Sequence, residues 1–199
     1  MNKEVDAIPI GRMLRSATAG FTFGCSVPEP EVPIFATFVK APAQRGATHV
    51  IGLIYDIVIE DDTFVRQMIA TPDLPEAYIL DQRENRQVPI EVSVLAVGYE
   101  NDAGLRHGLP PQPPITLDRV QLCSDAEIVA FTESFDFMRL ILNAQDVPAD
   151  ELLAVVLQRA AALRPPDDRV VYLQQAGREL ARQLAYDLQR LDALLRRLT

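Results

Sequence analysis

The chain has no tryptophan, and among its 199 residues only two cysteines (Cys25, Cys123), two histidines (His49, His107) and two lysines (Lys3, Lys40). Each scarcity narrows what the protein can be. Two cysteines cannot staple a small secreted scaffold. They read as reduced, core-type thiols of a cytoplasmic protein, and they pair only if their two strands are neighbours. Neither histidine has a second His, Cys or carboxylate at ligand spacing, so a metal site would need long-range assembly and no metal is expected. Serines 16, 26, 93, 124 and 134 lie in no Gly-x-Ser-x-Gly elbow. The segment Met1-Asn-Lys-Glu-Val-Asp6 carries acids and no apolar core, so no secretory signal is expected. Apolar runs are strand-length or amphipathic, too short for a membrane span. Bases are outnumbered 19 to 28, giving a net charge of −9 and a pI near 4.7. That balance disfavours a large non-specific nucleic-acid footprint, which needs clustered cations to release counterions.

What is abundant is strand. With 48% hydrophobic and 24% charged residues the chain can build a packed core. Ile8–Arg15, Phe21–Val27, Phe35–Lys40, His49–Ile59 and Val88–Tyr99 are apolar-rich, and most are separated by Gly, Pro or polar clusters. Phe21, Phe23, Cys25 and Val27 alternate with small or polar residues, and Ile51, Leu53, Tyr55, Ile57 and Ile59 do the same in the fourth strand. Short strands in series, with no helix between the first four, hide their edges by closing into a small barrel. The spacing predicts a helical insertion over about 61–87, between two barrel strands. Asn101–Gly104 is a turn. The proline run Gly108–Pro114 must be extended, a stiff connector into a last strand, Arg119–Cys123.

From Ser124 the chain is helical. Ser124-Asp-Ala-Glu127 is a capping box that opens a helix predicted to run to about Leu142 on a stripe of Ile128, Phe131, Phe135, Met138 and Leu142. A second helix starts at Pro148 and ends near Arg164. A third runs from Asp167 or Asp168 to the end, carrying Leu180, Leu184, Leu188, Leu191, Leu195 and Leu198 at alternating intervals of three and four. That leucine row is either an intramolecular packing face or a self-association seam. The expected fold class is α+β: a closed barrel over 1–123 with its helical insertion, then a helical hairpin or three-helix unit over 124–199.

Several strings in the first part carry a family likeness. Ile10-Gly-Arg-Met-Leu-Arg15, Phe21-Thr-Phe23, the run Pro33–Val39, Val50-Ile-Gly-Leu-Ile-Tyr55, Val92-Ser-Val-Leu-Ala-Val-Gly98 and the closing Leu117-Asp-Arg-Val120 resemble the HAS barrel. This is the small β-barrel at the N-terminus of HerA-type DNA-translocating ATPases and of ATP synthase α and β subunits. The resemblance covers about residues 7–123. The motor that follows this barrel in the ATPases has no counterpart, because no Gly-rich loop ending in Gly-Lys-Ser/Thr occurs. The resemblance therefore implies only the barrel's role: ring assembly and docking of partners such as the NurA nuclease.

No catalytic residue, cofactor or metal is expected, and the acidic cluster Asp56, Glu60, Asp61 and Asp62 reads as a solvated helix cap. Function then rests on contact with other protein subunits or a second copy, with no membrane partner. Candidate contact residues are Arg83, Glu84, Asn85 and Arg86, in the most polar stretch before Val88. Arg12, Arg15, Lys40 and Arg45 join them if the first strand, the third strand and its outgoing loop end on one side. The alternative is a nucleic-acid-binding barrel, which requires exposed aromatics along a basic groove; Phe21, Phe23, Phe35, Phe38 and Tyr55 instead lie in apolar alternation, as core residues do.

Overall fold

A computed structural model describes residues 9–27, 33–59, 70, 75–77 and 88–198. Seven strands form: β1 (Pro9–Ala17), β2 (Gly20–Val27), β3 (Phe38–Ala43), β4 (Thr48–Ile59), β5 (Val88–Asn101), β6 (Gly104–Arg106) and β7 (Arg119–Leu122). The order β2-β1-β7-β3-β4-β5 is closed by pairing of β2 with β5, which makes a six-stranded antiparallel barrel; β6 hangs on β5 as a hairpin arm. The expected α+β fold with a closed barrel is what the chain adopts. The short β6 is an addition, formed because the Asn101–Gly104 turn returns the chain against Tyr99 and Glu100.

Alternation decides which side chains fill the barrel. Met13, Phe21, Phe23, Val39, Ala41, Val50, Ile54, Val92, Val94 and Val120 point inward and are almost fully buried. One expected face is divided. Ile51, Leu53 and Tyr55 lie on the outer wall, whereas Ile57 packs inward, because a bulge between Ile54 and Asp56 shifts the phase by one residue. β1 is likewise bulged between Met13 and Arg15.

Five helices follow: α1 (Asp125–Phe131), α2 (Met138–Leu142), α3 (Ala149–Ala162), α4 (Pro166–Gln183) and α5 (Leu188–Leu198). The Ser124–Glu127 capping box opens α1 as expected. Two long helices, however, are each broken in two. A continuous helix over 125–142 would place Phe131 and Phe137 about 120° apart around its axis. Both are fully buried with ring centroids 5.6 Å apart, and the turn at 132–137 makes that possible. The predicted third helix breaks after Leu184. There Asp187 Oδ1 accepts from Arg190 N–H at 3.0 Å and caps α5, which folds back onto α3. Arg190–Asp150 (2.6 Å) and Arg197–Glu151 (2.8 Å) ion pairs fix that return.

The leucine row is therefore not one seam. Leu180, Leu184 and Leu198 are buried, and Leu191 and Leu195 pack against the same core. Leu188 alone is exposed, at 69%. Five of the six serve intramolecular packing, the first of the two readings above.

The helices do not form a separate core. Ala36, Phe38, Ile51, Leu53 and Val97 on the outer wall of β3–β5 and its approach belong to one buried cluster with Phe131, Phe137, Met138, Leu153, Leu157 and Leu180. Among the described residues, no side chain of β1, β2 or β7 belongs to that cluster.

Candidate functional site

With its interior filled by side chains, the barrel's outer wall is the surface left for contact. The part packed against helices is anchored electrostatically: Lys40, on the outer face of β3, bonds Glu127 of α1. Burial acts to raise the Glu127 pKa, but hydrogen bonds from Lys40 and from the Ser124 amide and hydroxyl outweigh it. The carboxyl is held below the ordinary glutamate range. A depressed folded-state pKa contributes stability above the unfolded value, and that contribution is lost as pH falls through the folded value. Glu127→Gln keeps the capping-box bond and removes the charge. The side chain is 35% exposed, so solvent screens the pair and the expected cost at neutral pH is about 1 kcal/mol or less. The difference from wild type, read from urea midpoints, should shrink as pH falls below about 4.5.

The wall outside the cluster shared with the helices, the open wall of the described residues, is β2-β1-β7. Its exposed side chains include Arg12, Leu14, Arg15 and Ala17 from β1, and Ile115, Thr116, Leu117 and Arg119 from the segment entering β7. This segment is tied along β1 by four bonds: Ser16 Oγ to Pro114 O (2.7 Å), Leu117 N–H to Met13 O (2.9 Å), Met13 N–H to Asp118 O (2.9 Å) and Arg12 Nη1 to Leu117 O (3.0 Å). Leu117 sits at φ 70°, a left-handed conformation that costs a bulky residue about 1–2 kcal/mol. Its amide and carbonyl are both held while its side chain is 73% exposed. Arg12 and Arg119 are direct cross-strand partners, two like charges side by side, which is unfavourable in isolation.

The sequence candidates fall in separate places. Arg12 and Arg15 share the open wall, Arg15 paired with Glu91 at 3.0 Å. Lys40 lies beneath α1. Arg45 is exposed in the 3-10 turn Gln44–Gly46. β1 and β3 both run antiparallel to β7, so the end of β1 and the β3–β4 turn do lie at the same barrel end. Arg83, Glu84, Asn85 and Arg86, with the rest of the predicted insertion, lie outside the described residues. The β4–β5 connection leaves from the opposite end, where Ile59 pairs with Ile90. Leu14, Ile115, Leu117 and Arg119 were not among the sequence candidates; as apolar letters beside strands, three of them look like core.

Other groups are structurally engaged. His107 Nε2 lies 2.8 Å from Phe131 O, and its ring packs edge-on against Phe131 and Phe137, so it is a packing residue and not the surface turn residue its sequence position suggests. His49 pairs with Pro42 and Glu100 inside the sheet, not at an edge. Cys25 and Cys123 are free, and β1 separates their strands. Burial, reinforced by the Glu127 charge, pushes the Cys123 thiol up to about 12, far from a reactive thiolate. Asp56 caps its own neighbour, Ile57 N–H, at 3.0 Å, and Glu60–Asp62 lie outside the described residues. Phe21, Phe23 and Phe38 are buried and Phe35 and Tyr55 pack against the inter-layer core, so these five offer no stacking platform for bases. Among the described residues no three His, Cys, Asp or Glu side chains converge as metal ligands, and no helix is long and apolar enough to cross a membrane. No protein-family model matches the chain, and no curated protein matches it significantly.

Proposed function

We propose that this chain is a HAS-barrel-like assembly or adaptor module without the motor, acting by protein–protein contact in the setting of a HerA–NurA-type DNA-processing machine. The observation that carries the contact reading is the open wall. Leu14, Ile115 and a strained, doubly anchored Leu117 all have exposed side chains on this wall, where Arg12 and Arg119 are cross-strand partners. Exposed apolar groups rimmed by cations are what a docking face requires. Backbone strain that an unfilled surface would not need gives the same indication. A barrel that packs its β3–β5 wall against helices and exposes apolar side chains on β1 and the segment entering β7 suits a module seated against a neighbour.

The test compares wild type with the double variant Leu14→Glu/Leu117→Glu. Both positions are exposed, so the thermal midpoint should hold. Light scattering of the wild type reads self-association against the 22.1 kDa chain mass, and affinity capture from native extract reads other partners. The expected result is a stoichiometric partner, self or foreign, retained by wild type and reduced at least tenfold by the variant. A monomer that captures the same proteins in the same amounts with either bait overturns the proposal, as would salt-dependent oligonucleotide binding as its only measurable interaction.

A further inference from the structure

A groove of about 610 Å³ lies at the seam between barrel and helices. Its barrel side is the β1–β2 hairpin with Tyr55 and Leu95. Its helical side is α2 and the loop into α3, contributing Arg139, Leu140 and Val147. The volume is that of a small-molecule site.

Its charge is what sets it apart. The chain carries nine more acids than bases, yet the groove is lined, among the described residues, by Arg15 and Arg139 and by no aspartate or glutamate. Arg15 is engaged with Glu91, which lies outside the lining. Arg139 has no side-chain partner among the described residues, although its own carbonyl accepts from Asn143 Nδ2 at 2.8 Å. The rest of the described lining is mainly apolar, with Ser16, Thr22, Tyr55, Asn143 and Gln145 as polar points. An unneutralised, exposed arginine lining a mainly apolar groove selects one ligand chemistry, because an apolar body fills the groove while an oxyanion meets the fork of the guanidinium.

We infer that this groove binds a small amphipathic anion: an apolar chain or ring bearing one carboxylate-like head that pairs with Arg139. This goes beyond the docking reading and does not depend on it, since Leu14 and Leu117 do not line the groove.

The test uses the full chain with 8-anilinonaphthalene-1-sulfonate, itself an apolar ring system with one anionic head, and competes it with decanoate or with decanol. Binding near one per chain is expected, displaced by decanoate at least tenfold more effectively than by decanol. Arg139→Glu, at an exposed position on α2, should weaken binding at least tenfold with an unchanged thermal midpoint. Ala17→Trp, which fills the exposed barrel side of the groove, should block it without touching the charge. Equal competition by decanol, or dye binding indifferent to both variants, overturns the inference.

Discussion

Gly52→Val should cost about 3 kcal/mol or more, the upper range for inserting side-chain atoms into a closed core. A Cβ at position 52 would stand 2.4 Å from Val94 Cγ1 and 2.8 Å from the Leu95 carbonyl oxygen. The valine methyl can rotate, but the carbonyl belongs to the adjacent strand and moves only with the sheet. Gly52 also follows the bulge at which β4 skips Val97 on β5, so the two strands come together closely there. Gly11 is built the same way, its absent Cβ 2.5 Å from the Phe23 ring and 2.6 Å from the Gly24 oxygen. Both glycines approach a neighbouring strand too closely for any side chain, so Gly11→Ala should also destabilise by about 1–3 kcal/mol. Two controls separate crowding from conformation. Gly108→Ala meets nothing within 4 Å and should fall within about 0.5 kcal/mol of wild type. Gly46→Ala also enters open space but at φ 87°, so it should lose about 1 kcal/mol through backbone strain alone. Urea midpoints measure all four, and a Gly52→Val midpoint no lower than that of Gly108→Ala would refute the crowding.

These two glycines lie in the strings that carried the family likeness, which shows what short motifs can convey. Gly11 and Gly52 are readable because sequence records the absence of a side chain, and the packing demands that absence. The strands were legible for a similar reason: the period-2 alternation of Phe21, Phe23 and Cys25 survives intact in β2. What alternation cannot report is a phase slip. The bulge after Ile54 turns Ile57 inward, and no residue at Tyr55 or Asp56 announces it. Helix breaks at Thr132 and Leu184 were hidden because neither uses glycine or proline. The first is fixed by where Phe131 and Phe137 must both lie, the second by an Asp187 cap inside a run of leucines. The open wall was hidden more deeply. Leu14, Ile115 and Leu117 become surface only because α1–α5 cover the other side of the barrel, and that choice is made by contacts such as Lys40–Glu127, 87 residues apart in sequence. The groove was illegible too, since Arg15 and Arg139 come to line one groove across 124 positions, and Arg139 signifies only because no carboxylate among the described lining residues accompanies it.

Phe131→Ala should remove about 3–5 kcal/mol, as expected for a fully buried aromatic truncated where neighbours cannot collapse. The ring stands between the two layers. Phe38 of the barrel wall meets it edge-on at 5.6 Å, His107 at 4.4 Å and Phe137 at 5.6 Å, and Gly98 lacks a Cβ where one would lie 2.5 Å from Phe131 Cε2. Strand and helix are each too rigid to close such a gap, so the cavity term adds to the lost transfer energy. The His107 bond to the Phe131 carbonyl survives the substitution and limits relaxation further. Because Phe38, Ile51, Leu53 and Val97 share one buried cluster with α1–α5, barrel and helices should lose stability together. Amide exchange distinguishes the outcomes. In a shared core, protection of Val50–Ile54 and of Leu152–Leu157 falls by the same free energy in the variant. If helical amides lose protection while β4 keeps its own, the helical region is a separable unit and the wall it covers is not part of its core.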